Sequence, residues 1–323
     1  MAATARDHGT QDGGVRTIER RGLRAAVGAS LAAAPLVAGA HVVPGPAAWS
    51  LHWSLEPWVV ACLAVSALGY ASGLARLWSR AGPGRGISRA QAAAFAGGWL
   101  ALAVALVSPL DPLGVQLFSA HMIQHEMLMV LVAPLLCLGR PLVAWTWAMP
   151  PRWRRRAGRW TARRGWRSAW GAMTSLLGSW ALHAAALWGW HAPSLFQAAL
   201  HDNGIHVLQH ISFLGTALLF WWAALRPASR RGQGHAIVYV FTTMMHTSAL
   251  GALLTLSPAV WYPDYLPSAL ALGIDPLEDQ QLGGLVMWIP AGLAYVVAGL
   301  ALALRWAGLR SSDRIDGELR PAR

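Results

Sequence analysis

Seven apolar stretches of membrane-spanning length, at 57–76, 90–110, 121–139, 169–190, 205–225, 236–256 and 281–304, govern what this chain can fold into. A helix needs about 20 such residues to cross the hydrocarbon core of a bilayer. No water is available there for backbone N–H and C=O groups, so each stretch must close its hydrogen bonds within itself as an α-helix. The expected fold class is all-α, a polytopic transmembrane helical bundle of seven core spans. Only 12% of the residues are charged, about half the share of a soluble domain.

An eighth apolar stretch, 24–40, follows Arg16, Arg20, Arg21 and Arg24 and ends Ala38-Gly39-Ala40 before His41. That layout fits a secretory signal peptide with an A-x-A cleavage site, and it fits an uncleaved first span equally well. The expected organisation is 1–43 as cytoplasmic N-terminus with signal peptide or first span, 44–305 as a seven-span membrane domain, and 306–323 as a basic cytoplasmic tail.

The connecting segments alternate in charge. Those at 76–89, 140–168 and 226–235 are rich in Arg, with nine between Arg140 and Arg167, and the tail carries Arg305, Arg310, Arg314, Arg320 and Arg323. The segments at 44–56, 110–120, 191–204 and 257–280 contain no Arg and carry Glu56, Asp111, Asp202, Asp264, Asp275, Glu278 and Asp279. Basic loops remain cytoplasmic, so this pattern predicts a bacterial plasma-membrane protein with a cytoplasmic C-terminus. The net charge of +12 does not point to nucleic acid, because the arginines sit in short runs between apolar stretches. The run 152–167, Arg with interleaved Trp, reads as a segment lying on anionic membrane lipid.

Ten of the 12 histidines map to the outer half of this topology. His121 and His125 open one span, and His206 and His210 open another. The i, i+4 spacing puts both rings of a pair on one helical face. His183 lies about two turns below the outer end of its span, and His246 lies near mid-membrane, by the 1.5 Å rise of a helix. Imidazole is the commonest metal ligand, and ionisable residues within a membrane mark function. The candidate metal set is therefore His121, His125, His206, His210, His183 and His246. Met122, Met127, Met129, Met244, Met245 and Met287 lie in the same spans, and thioether with imidazole suits Cu(I); packing is the alternative use for these residues. Glu126 follows His125 by about 100° of helix rotation, so it faces away from that ring. Asp279 is placed to orient a ligand or to cap a helix. Cys62 and Cys137 form no CxxC and map near opposite membrane faces, so no disulfide is expected.

Four ordered blocks carry a family resemblance. H-M-I-Q-H-E-M-L-M-V-L-V-A-P-L-L-C-L-G-R-P at 121–141 resembles the signature of the CtaG-type cytochrome c oxidase assembly factors. The segments 206–222, 250–265 and 275–290 are similar to three further blocks of that family. Where the family often has an acid before the second His of the second pair, this chain has Gln209. The resemblance implies a non-enzymatic part in maturing a haem-copper oxidase, with copper as the metal handled and cytochrome c oxidase subunits, subunit I among them, as partners. It also implies that His121, His125, His206 and His210 are the functional residues. A b-type haem protein and a copper transporter are the alternatives. No Walker A loop, H-E-x-x-H or G-x-S-x-G is present, so no catalytic residues are expected.

Overall fold

The computed structural model describes residue 49 and residues 51–226 and 229–318; the stretch 24–40 lies outside the described residues. The described residues form helices joined by short turns. They are α1 (Pro57–Ala81), α2 (Arg89–Val107), α3 (Leu110–Gln116) and α4 (Phe118–Glu126), which continues through a π-helical turn (Met127–Val132) into α5 (Ala133–Leu138). Then come α6 (Pro141–Ala148), α7 (Pro151–Thr161), α8 (Arg164–Met173), α9 (Leu176–Trp190), α10 (Pro193–His201) and α11 (Asn203–Leu225). The chain ends in α12 (Arg230–Thr255), α13 (Leu266–Ala271) and α14 (Pro276–Glu318). Local chemistry sets several starts. Ser88 and Gln91 form a reciprocal capping box on α2, Asp202 caps α11 through Ile205 N at 2.9 Å, and proline occupies the first turn of α1, α6, α7 and α10.

Among the described residues six helices are long and apolar enough to cross a bilayer, where seven spans were expected: Pro57–Ala81, Arg89–Val107, Phe118–Leu138, Asn203–Leu225, Arg231–Thr255 and Pro276–Gly308. The stretch 169–190 is divided. α8 stops at Thr174, and Ser175 turns extended and caps a new helix through Gly178 N, so α9 keeps 15 residues, about 22 Å of rise. It still runs antiparallel beside α11, with His183 Nδ1 at 3.2 Å from Thr216 Oγ1 and Trp190 Nε1 donating to Ser212 Oγ at 2.6 Å. The segment read as a separate basic tail begins as helix, because α14 continues to Glu318.

Helices α12 and α14 pack backbone to backbone. A Cβ added at Gly284 would meet Thr255 N at 2.6 Å and Gly251 O at 2.7 Å, so glycine on both sides lets the two backbones touch. The principal core gathers Met129, Phe213, Phe220, Trp221, Tyr239 and Tyr295 from four elements. The helix directions place the Arg-rich turns at one end of the bundle. There Arg76 donates to Ala148 O at 2.5 Å and Arg140 to Gly86 O at 3.2 Å. The histidine-bearing starts of α4 and α11 lie at the other end.

Candidate metal centre

The residues that build the site come from the first turns of two spans. α4 begins at Leu117, whose extended backbone (φ −131°, ψ 131°) separates it from α3. Asp279, near the start of α14, supplies the cap. Its carboxylate accepts from Phe118 N at 2.6 Å, from Ser119 N at 3.2 Å and from Ser119 Oγ. Asp279 thus caps a helix that is not its own, which joins the two sequence readings of this residue: by capping α4 it sets where His121 stands.

The two histidine pairs converge. Ring centroids of His121 and His125 lie 4.2 Å apart, and those of His206 and His210 4.3 Å apart. Across the helices the separations are 5.4 Å for His121 and His206, 5.2 Å for His125 and His210, and 6.3 Å for His121 and His210. One ring nitrogen from each of His121, His206 and His210 lies within 4.8 Å of the others. Nitrogen ligands sit about 2.0–2.1 Å from a transition metal, so they can be at most about 4 Å apart around one ion. Closing the observed gap takes a shift of under about 1 Å.

Hydrogen bonding selects which nitrogens are presented. His121 Nδ1 lies 3.2 Å from Gly114 O. Donation to that carbonyl leaves Nε2 with its lone pair, and Nε2 is buried without a partner. Tyr265 donates its hydroxyl to the same carbonyl at 2.9 Å, fixing the α3 turn that fixes the imidazole. His125 has neither ring nitrogen hydrogen-bonded, and His210 Nε2 is likewise buried and unpartnered. A buried polar group without a partner costs about 1–3 kcal/mol, so several in one place describe a site shaped for a ligand. Gln124, between the α4 histidines, is fully buried and donates to Ala105 O at 2.8 Å and to Asp111 Oδ1 at 3.0 Å. Gln209 is also fully buried, and its amide lies beside His121 without an aligned hydrogen bond.

The site includes a histidine that sequence spacing missed. His191, at the end of α9, donates Nδ1–H to Leu187 O at 2.7 Å and leaves Nε2 buried and unpartnered. It sits within electrostatic range of His121 and His125, and burial lowers its pKa to about 4. No partner at i+4 marked it, because it reaches the cluster from a different helix.

The other predicted residues lie elsewhere. His183 and His246 are within electrostatic range of each other, against Phe220 and Trp180, in a separate part of the core. Met122, Met129 and Met287 pack in the hydrophobic core, and Met245 is exposed. Glu126 is buried within electrostatic range of Tyr295 of α14. Cys62 and Cys137 are free.

Four aromatic rings close the site from above. Phe118, Phe196, Tyr262 and Tyr265 are each nearly or wholly buried. Phe196 lies tilted against Tyr262, ring centroids 4.2 Å apart, and sits 5.1 Å from His121. To the side, a cleft of about 120 Å³ reaches His206 and His210.

The chain matches the family described as cytochrome c oxidase caa3 assembly factor (Caa3_CtaG) over residues 68–308. Among curated proteins it is 28% identical over 270 residues to uncharacterized proteins of Mycobacterium bovis and Mycobacterium tuberculosis, and 27% identical to one of Mycobacterium leprae. Each alignment covers 79% of this chain but 39% of the relative, so the chain spans about two-fifths of the length of the relatives it matches. No solved structure matches. All four blocks that carried the resemblance, and all four paired histidines, fall inside the matched region, and the chain belongs to the caa3-type cytochrome c oxidase assembly factor family.

Proposed function

We propose that this protein handles copper for a haem-copper oxidase, holding Cu(I) at His121, His206 and His210, with His125 beside them as an exchange ligand. The observation that carries the reading is the approach of three ring nitrogens to within 4.8 Å on two membrane helices. Neutral imidazoles in a site with few ligands suit capture and release of a soft or borderline ion, where a closed structural site would retain it. The role is one of delivery, without catalysis. The receiving partner is an oxidase subunit, with subunit I as the copper-bearing candidate.

The charge pattern supports placing this end of the bundle on the outer face of the bacterial plasma membrane, since the Arg-rich turns gather at the opposite end. The cleft of about 120 Å³ suits an ion with its water. Sites for bulky cofactors run to about 300 Å³ or more, which favours an ion over haem.

Titration of Cu(I) into the purified protein, against a competing chelator, tests the reading. One tightly bound Cu(I) per chain is expected, lost in the H121A/H206A variant. Equal binding by variant and parent would sink it.

A further inference from the structure

The imidazole cluster is roofed by aromatic rings and walled by helices, so any ion reaching it needs a route. Among the described residues the cleft beside α11 supplies one. Its walls bring together Glu56 and Trp58 at the start of α1, Asp111 on α3, and Asn203, His206 and His210 on α11. Two carboxylates are thus drawn from segments far apart in sequence to a cleft whose floor holds two of the imidazoles. Both are braced by neutral donors: Trp58 Nε1 reaches Glu56 Oε2 at 2.6 Å, and Gln124 Nε2 reaches Asp111 Oδ1 at 3.0 Å. The described segments at this end of the bundle, 51–56, 110–120, 191–204 and 257–280, contain no Arg and carry further carboxylates.

We propose that this cleft is the inlet of the metal centre, with Glu56 and Asp111 acting as an electrostatic funnel that draws a cation from solvent onto His206 and His210. The inference rests on the metal-handling reading and deepens it. Carboxylates at the mouth of a low-dielectric cleft raise the local cation concentration and the capture rate, by about 10-fold or more. They are hard oxygen donors that hold Cu(I) weakly, whereas the imidazoles beyond them bind it well. An ion therefore passes the mouth without being trapped there. Gln124 links the two parts, because it stands between His121 and His125 on α4 while its amide holds Asp111.

The test uses the full chain in detergent and follows, by stopped flow, the transfer of Cu(I) from a colorimetric chelator to wild type, to E56Q/D111N and to V207W. Gln and Asn keep the acceptor oxygens that Trp58 and Gln124 need, and Val207 lines the cleft, so Trp there narrows it with both charges intact. The expected results are a capture rate about 10-fold lower for E56Q/D111N at low salt, converging on wild type at high salt as screening shortens the reach of charge. Slower capture is also expected for V207W at every salt concentration. In both variants the final affinity stays within about 2-fold of wild type, since the ligands are untouched. Wild-type rates and wild-type salt dependence in both variants overturn the inlet while leaving the metal centre in place. A wild-type protein that takes up no Cu(I) overturns the metal-handling reading, and the inlet with it.

Discussion

The backbone N–H of Phe118 donates to the Asp279 carboxylate at 2.6 Å, across 161 positions of sequence. Through that bond the start of the last span holds the start of the histidine-bearing span. Asp279→Ala removes the acceptor for three buried donors and should lower stability by about 2 kcal/mol. It should also weaken Cu(I) binding about 10- to 100-fold, the usual cost of losing an outer support of a metal ligand. Thermal unfolding in detergent and chelator competition measure the two effects; unchanged affinity in a folded variant would show that α4 holds its histidines without this cap.

Single substitutions separate the two histidine groups. H121A, H206A and H210A should each lose more than about 100-fold in Cu(I) affinity, exceeding the loss expected from an outer support. H183A should stay within about 3-fold of wild type, because His183 sits with His246 and Thr216 and away from the cluster. A large loss in H183A would show that the ion binds at the deeper pair.

Gly284→Ala should destabilise the protein by about 1–3 kcal/mol through overpacking, since its new methyl would meet Thr255 N at 2.6 Å and Gly251 O at 2.7 Å. Gly299→Ala, with nothing within 4 Å of the added atom, should be neutral or stabilising. Comparing their unfolding transitions checks that α12 and α14 touch through glycine.

Orientation is open to labelling. With Cys62 and Cys137 replaced by Ser, a cysteine at exposed Ser194 should react with an impermeant maleimide in intact cells. One at Gly158, where an added side chain meets nothing within 4 Å, should react only after lysis. The reverse pattern would move the histidine cluster to the cytoplasmic side.

Much of the architecture was legible in the sequence because lipid imposes one strong rule. A backbone buried in hydrocarbon must be helical, so length and hydropathy alone locate the spans. The exception at Ser175 is local in origin: a serine that accepts from Gly178 N starts a new helix, and hydropathy averages over it. The i, i+4 histidine pairs were equally legible, since helical geometry places each pair on one face. His191 and the paired roles of Gly114 and Tyr265 were not, because they come from helices and turns whose neighbours only packing decides.

Sequence by itself determined that the chain is a helical membrane protein of this family, and that four imidazoles occupy the starts of two spans. Tertiary structure decided that those starts face each other, that Asp279 holds the start of α4 while Gly114 fixes which nitrogen His121 presents, and that an acid-flanked cleft leads to the cluster. The reason is physical. Span formation is settled by each segment against lipid, one at a time, whereas convergence depends on helix adjacency, which is written in contacts such as that of Phe118 with Asp279, 161 positions apart.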